Sequence, residues 1–280
     1  MDEVTLRKVQ LAQLKIGKEI KRICDLHGIE YFLDGGTLLG AVRHKGFIPW
    51  DDDMDIAMTR ENYVRFIEAA KSDLGEEFFL QTWETDKRYP MPFAKVRLNG
   101  TVFVENASEK SGIHQGVYVD VFPYDVWCTK KRYKKKIWRK RSFLQAMLFT
   151  KCRYLKFKSD SALKYLLKIF MFTFLKFLCL FYSKKRLIRK YEKMVNKFNA
   201  LPGDELYEQT VNLKFGYWII PRSCFEESVE LPFEDELFPC PKNYDEYLTK
   251  IYGDYMQPPP EEKRKKGHDI IKVDLGAYDL

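Results

Sequence analysis

Residues 51–58, Asp-Asp-Asp-Met-Asp-Ile-Ala-Met, constrain this chain more than any other stretch. Asp51, Asp52, Asp53 and Asp55 fall within five positions. Carboxylates packed this closely repel by ~1 kcal/mol per pair even in water, and by more near a protein surface. A folded chain keeps such a cluster where solvent screens it or where it holds a cation. The apolar neighbours decide between the two. Met54, Ile56, Ala57 and Met58 predict a short, mostly buried strand over 53–58. Side chains alternate along a strand, so Asp51, Asp53 and Asp55 are expected on one face. Three carboxylates in a row suit a hard divalent ion, Mg²⁺ first and Mn²⁺ as its substitute. Asp52 then points to the opposite face, where a turn residue or N–H acceptor is expected.

Upstream, Tyr31-Phe32-Leu33 reads as a strand and 37–43 as a helix, joined by Asp34-Gly35-Gly36-Thr37. Glycines let backbone N–H groups approach an anion, and a helix N-terminus adds partial positive charge. Gly35, Gly36 and Thr37 are therefore candidate phosphate contacts. Alone, Gly-Gly-Thr reads as an ordinary strand-to-helix turn; it gains weight from the acidic strand that follows about 15 residues later.

Three further groups complete the candidate site. Asp120 is an acid inside the apolar strand Gly116–Phe122, which Pro123 is expected to stop. An unpaired buried acid is costly, so Asp120 faces either a metal or a cationic residue. Arg43, His44 and Lys45 lie between the glycines and the acidic strand; Arg43 is the favoured phosphate ligand for its bidentate fork, and Lys45 reads equally as a solvated loop residue. Lys95 and Arg97 alternate on one strand face, where they bind phosphate or pair with the aspartates. Trp50 packs the turn or stacks on a ligand. His27 and His114 read as structural.

The stretch closely resembles the LicD family of phosphotransferases, which includes the fukutin-related proteins. The residues that carry the resemblance are GGTLLGAVRHKGFIPWDDDMDIAM at 35–58, GVYVDVFP at 116–123 and LPFEDELFPCPKNYDEYLTKIYGDYMQPPP at 231–260, with His268 just beyond. The resemblance implies a nucleotidyltransferase-like fold and transfer of a phosphorylated headgroup, typically phosphocholine, from a CDP-activated donor to a sugar hydroxyl. It also implies that Asp120 joins Asp51, Asp53 and Asp55 at the metal, that Asp53 or Asp120 takes the acceptor's proton, and that His268 closes over the donor. Without it, His268 would read as a lone histidine in the tail EEKRKKGHD, which is expected to be mobile.

The remaining elements predict a mixed α/β (α+β) sheet with flanking helices. A helix is expected over 4–27, ended by Gly28, and another over 60–71. Strands are expected at 78–81, 94–98 and 101–105, the last two joined as a hairpin at Asn99-Gly100. A helix over 243–252 is expected to be capped by Asn243 and stopped by Gly253. Leu201-Pro202-Gly203 reads as a linker, followed by Tyr217 and Trp218. These readings divide the chain into a catalytic core at 1–128, a basic helical insertion at 129–200 and a C-terminal part at 201–280 that completes the core.

Charge separates the insertion from the rest. Residues 130–197 hold 23 Lys or Arg against Asp160 and Glu192, a local charge of +21 within a chain of net charge +8. Inside it, 165–182 is apolar except for Lys168 and Lys176. At 100° per residue, Lys164, Lys168 and Lys176 fall within an arc of about 120°. The sequence leaves two readings open: a bundle packed on the core, or a helix lying in a membrane interface with its lysines toward the headgroups. Two interior lysines argue against a simple span.

Six cysteines without metal spacing suit free thiols in a reducing compartment. The first 28 residues lack the pattern of a signal peptide. The expected setting is the cytoplasm, peripheral to the inner face of the cell membrane. The expected partners are CDP-choline or a similar CDP-linked donor, a sugar acceptor that is free or lipid-linked, and an anionic membrane surface. Two other functions compete. A nucleotidyltransferase would activate a phosphorylated headgroup or sugar and release pyrophosphate. A nucleic-acid-binding protein would use the basic run at 130–141, but no recognised nucleic-acid motif accompanies it, and no specific nucleic acid is expected.

Overall fold

The computed structural model describes every residue except 127–130, 155–161, 201–204, 209–217, 265–266 and 279–280. The expected linker at Leu201-Pro202-Gly203, Tyr217 and Cys128 lie outside the described residues. The fold is the expected α+β mixture around a mixed sheet. Helix α1 (Glu3–His27) starts on the Asp2 side chain, which accepts from the Thr5 amide at 2.7 Å, and ends at Gly28 in the left-handed region. There follow β1 (Phe32–Leu33), α2 (Gly35–His44), β2 (Asp55–Thr59), α3 (Arg60–Asp73), β3 (Phe78–Gln81), β4 (Ala94–Leu98), β5 (Val102–Glu105) and β6 (Tyr118–Val126). The sheet runs β1-β2-β6-β4-β3, and β2 and β6 are parallel. Helix α1 buries Val9, Ile16, Ile20 and Ile23. Gly17 lets the helix close on Met54, since a Cβ there would sit 2.8 Å from its sulfur.

Four local expectations need correction. First, the acidic strand begins at Asp55 rather than 53. The carbonyls of Asp51 and Asp52 accept from the Gln10 and Gln13 side chains of α1 at 2.9 and 2.7 Å. Side chains thus capture this backbone in place of a neighbouring strand, and strand alternation does not govern Asp51–Asp53. Second, Asn99-Gly100 does not close a hairpin. Both edges of β4 are already taken, by β3 and β6, so β5 turns away and pairs with β11 (Ile270–Asp274). The segment just beyond the tail EEKRKKGHD is thereby anchored in a strand. Third, Pro123 lies inside β6. On that edge β4 pairs as far as Val121 and β7 (Glu205–Glu208) begins at Tyr124, so residue 123 needs no donor there. Fourth, α7 (Tyr244–Tyr252) ends at Gly253 as expected, but the Asn243 side chain makes no capping bond; its Nδ2 lies 3.5 Å from the Ser223 carbonyl.

The remaining strands are β8 (Ile219–Pro221), paired with β7, and the hairpin of β9 (Ser228–Phe233) with β10 (Glu236–Pro241). The basic middle forms α4 (Lys131–Lys151), α5 (Ala162–Leu180) and α6 (Lys184–Asn199). These helices share a second apolar cluster that includes Leu148, Leu175, Cys179, Leu187 and Tyr191. Tyr191 meets Trp83 edge-on at 5.6 Å, and Asn199 donates to the Asp125 carboxylate at 2.6 Å and accepts from the Val126 amide at 2.8 Å. Among the described residues no single helix is long and apolar enough to cross a membrane; α5 and α6 pass that test only as a pair bent by 99°. The five described cysteines, 24, 152, 179, 224 and 240, are buried free thiols.

At the far end of β6, Asp125 is fully buried and takes both arms of Arg60, at 2.7 and 2.6 Å. This pair joins α3 to the sheet. Removing only Arg60 strands a buried charge, at a cost of ~3–5 kcal/mol. Urea unfolding of Arg60→Met should show a loss of that size, with a smaller loss in Arg60→Met/Asp125→Leu. A loss below ~1 kcal/mol in the single variant would contradict the assignment.

Candidate active site

The site grows from one register. Asp55 stands opposite Asp120 across the parallel β2–β6 pair, and Asp120 stands opposite Lys95 across the antiparallel β6–β4 pair. Opposed residues project from the same face. Two carboxylates and an ammonium therefore form a row across three strands. Lys95 Nζ lies 2.7 Å from Asp120 Oδ1, with only 5% and 8% of the two side chains exposed. The same ammonium lies 3.3 Å from the Tyr118 ring centroid. Burial pushes the Asp120 carboxyl up, while the Lys95 charge counters it.

Helix α2 sets the second boundary. Asp34, not Thr37, opens it: the buried Asp34 carboxylate accepts from the Gly35 amide at 2.9 Å, from the Tyr124 hydroxyl at 2.8 and 3.0 Å, and from the Tyr247 hydroxyl. Trp218 Nε1 donates onward to both tyrosine oxygens at 3.1 and 3.2 Å. Gly35 and Gly36 are thus the first residues of the helix, not a loop before it. Gly35 takes φ +50°, and a side chain there would press on the Trp218 ring. A Cβ on Gly36 would lie 2.7 Å from Asp51 Oδ2. The carboxylate of Asp51 therefore lies over the first turn of α2, where the helix dipole favours negative charge. The Thr37 hydroxyl accepts from the Asp55 amide at 2.8 Å and ties α2 to β2.

The acidic segment is closed from the C-terminal side. The His268 amide donates to both Asp52 oxygens at 3.1 and 2.9 Å, and its Nδ1 lies 3.0 Å from Asp52 Oδ1 and 3.8 Å from Asp53 Oδ2. Gly267 permits this approach, since any Cβ would collide with the Asp52 carboxylate. Asp52 is therefore an N–H acceptor, buried rather than facing solvent. Among the described residues, Asp52, Asp53 and His268 bring ligand atoms within 4.8 Å of one another, whereas the expected set of Asp51, Asp53, Asp55 and Asp120 does not meet that spacing.

The other candidates are placed as follows. Arg43 lies about two turns along α2 from Gly36 and donates to the Tyr255 carbonyl at 2.7 Å. Lys45 is exposed and left-handed at the end of α2, with its carbonyl accepting from the Glu234 amide at 2.8 Å. Arg97 is buried, donates to Gln81 Oε1 and the Gly116 carbonyl, each at 2.6 Å, and touches no aspartate in those bonds. Trp50 packs on the core with the Arg264 guanidinium 4.3 Å over its ring. A cavity of about 990 Å³ lies elsewhere, between α3, residues 82–93 and α6, and no candidate residue lines it.

Sequence reasoning missed four contributors. Gln10 and Gln13 hold the acidic backbone; their signal was two amides on the otherwise apolar face of α1. Asp34 and Tyr252 gave less. The Tyr252 hydroxyl would lie 3.7 Å from a Cβ on Gly35, at the start of α2, and desolvation of the phenol with the charges of Asp34, Asp51, Asp55 and Asp53 raises its pKa.

Electrostatics follow from the crowding. Burial and the charges of Asp53 and Asp52 push the Asp51 carboxyl well above the usual range. Burial would lower the His268 imidazole, but the Asp52 hydrogen bond and the charges of Asp53, Glu105 and Asp52 overcome it and push its pKa up to about 10. As imidazolium in the metal-free chain, His268 acts as a counter-ion to Asp52. The carboxylates are the hard oxygen donors that Mg²⁺ or Mn²⁺ prefers, and a cation would remove the repulsion that raises Asp51. The His268 shift has a sign. Its stabilisation of the metal-free protein is complete below the ordinary value of 6.5 and is lost as pH rises through about 10. The stability difference between the wild type and His268→Gln should shrink across that window in urea unfolding; a constant difference would contradict the ion pair.

The LicD/FKTN/FKRP nucleotidyltransferase-domain family matches residues 28–159. The chain is 32% identical over 275 residues to the lipopolysaccharide cholinephosphotransferase LicD of Haemophilus influenzae, covering 96% of this chain and 97% of that one. The ribitol 5-phosphate transferases FKRP of Homo sapiens and Mus musculus are each 45% identical over 107 residues, 36% of this chain and 18% of theirs. The alignment spans the acidic segment, the sheet and the C-terminal segment that carries His268, and on it the chain belongs to the LicD family.

Proposed function

We propose that this protein is a Mg²⁺-dependent phosphotransferase. It moves phosphocholine, or a related headgroup phosphate, from a CDP-activated donor to a hydroxyl of a cell-surface glycan or its lipid-linked precursor, and it acts in the cytoplasm. The end-to-end likeness to a cholinephosphotransferase carries the reaction class. The row Asp55–Asp120–Lys95, flanked by Asp53 and Asp51, supports the chemistry.

Phosphoryl transfer asks the protein mainly to position reactants and neutralise charge. Asp51, Asp53, Asp55 and Asp120 would have to close from their present wider spacing to hold a cation, whose charge would neutralise the donor phosphates. Lys95 is already committed to Asp120, so it fixes that carboxylate rather than roaming to a phosphate. Asp53 is the base in this reading: 22% of its side chain is exposed against 8% for Asp120, and His268 stands 3.8 Å from it where Lys95 holds Asp120 at 2.7 Å. The acceptor oxygen forms a bond to the headgroup phosphorus, the bond from that phosphorus to the CMP oxygen breaks, CMP leaves, and the hydroxyl proton passes to Asp53. Trp218 and Tyr252 meet edge-on at 6.4 Å beside Gly35 and offer aromatic surface to a quaternary ammonium.

Asp53→Asn and Asp55→Asn should each lower turnover at least about a hundredfold with an unchanged circular dichroism spectrum, as expected when charge stabilisation is removed. Full activity in either variant would sink the assignment. Product analysis with CDP-choline and a glycan acceptor should give CMP. Pyrophosphate from a nucleoside triphosphate would instead establish the nucleotidyltransferase reading.

A further inference from the structure

Helix α5 packs on α4 and α6 through a narrow stripe centred on Leu175 and Cys179. Its opposite side is bare. Leu166, Phe170, Phe174, Phe177, Leu180 and Phe181 are each 54–77% exposed. At 100° per residue the first five fall within an arc of ~120° centred opposite Leu175 and Cys179, and Phe181 follows directly after the helix end. A contiguous apolar face of this kind marks an interaction surface.

Charge identifies the occupant. Cations gather where the apolar face ends: Lys151 donates to the Cys179 carbonyl at 2.7 Å, and Arg186 and Lys190 lie 5.2 and 4.4 Å over the Tyr182 ring. Lys176 is exposed on the flank of the helix. The surrounding 130–197 region holds 23 basic residues against two acidic ones. A second copy docked on this face would bring two such regions together against their mutual repulsion. An anionic bilayer offers both an apolar interior and opposite charge. We propose that α5 lies in the interface of an anionic lipid membrane, with Leu166, Phe170, Phe174, Phe177 and Phe181 below the headgroups and the lysines and arginines at their level. This stands on the helix surface and does not rest on the transfer chemistry. It would hold the acidic site near a lipid-linked acceptor.

Co-sedimentation of the full chain with vesicles tests it. Binding should be strong to phosphatidylcholine mixed with phosphatidylglycerol and weak to phosphatidylcholine alone. Phe170→Ser/Phe174→Ser/Phe177→Ser, all at exposed positions, should lower binding to the anionic vesicles at least about tenfold. Arg186→Glu/Lys190→Glu leaves the apolar face intact and should lower the same binding, while an unchanged thermal midpoint shows that each variant folds. Undiminished binding in the phenylalanine variant, or no binding by the wild type, would overturn the proposal. So would a lipid-free dimer that the phenylalanine substitutions dissolve, since a second copy would then cover the face.

Discussion

The parallel pairing of β2 with β6 is the constraint on which the rest of this molecule depends. It sets Asp55 beside Asp120, and the antiparallel β4 then sets Lys95 beside Asp120. A slip of one residue would turn an aspartate into the core and an apolar side chain into the site. The pairing reaches one residue past β2, where the Asp120 amide donates to the Met54 carbonyl at 3.0 Å, and Met54 is locked between the sheet and Gly17 of α1. Apolar packing on one side of the sheet thus fixes the spacing of charge on the other.

Four acids in five residues would push a bare loop open. Here three of the four are restrained by groups distant in sequence. Gln10 and Gln13 take the carbonyls of Asp51 and Asp52, the Thr37 hydroxyl takes the Asp55 amide, and His268 takes the Asp52 carboxylate. The order is economical in chain: one helix, one helix start and one returning tail meet at the acidic segment. The Asp34–Tyr124–Tyr247–Trp218 network anchors the start of α2 on the sheet and on α7, and so fixes the helix end over which Asp51 lies. Burial first, and then the repulsion that remains from Asp53 and Asp52, raise the pKa of Asp51.

Much of this was legible in the sequence because it is local. The boundaries of α1, β3 and β4 follow from periodicity and from Gly28, and the acidic cluster announced itself by composition. The errors share a cause. The Asn99-Gly100 hairpin failed because β4 had better partners elsewhere, and Pro123 was tolerated because two different strands share one edge of β6. Neither partner is written near the residue concerned. Gln10 and Gln13 were hidden in a helix whose apolar pattern drew attention to its other residues. Asp52 was read as a turn or N–H acceptor, and its acceptance from His268 depends on a segment more than two hundred residues away. The bare face of α5 was written in the apolar run 165–182, but only the packing of α4 and α6 shows which side stays open.

The proposed function requires Asp51, Asp53, Asp55 and Asp120 to close on a hard cation and, with it, to bind a CDP-linked donor. Calorimetric titration tests it most directly: Mn²⁺ into the metal-free chain, then CDP-choline with and without Mg²⁺, in the wild type and in Asp120→Asn. Metal binding that weakens sharply in Asp120→Asn, with donor binding that requires the metal, is the predicted result. Undiminished metal binding in Asp120→Asn, or donor binding indifferent to EDTA, would contradict it.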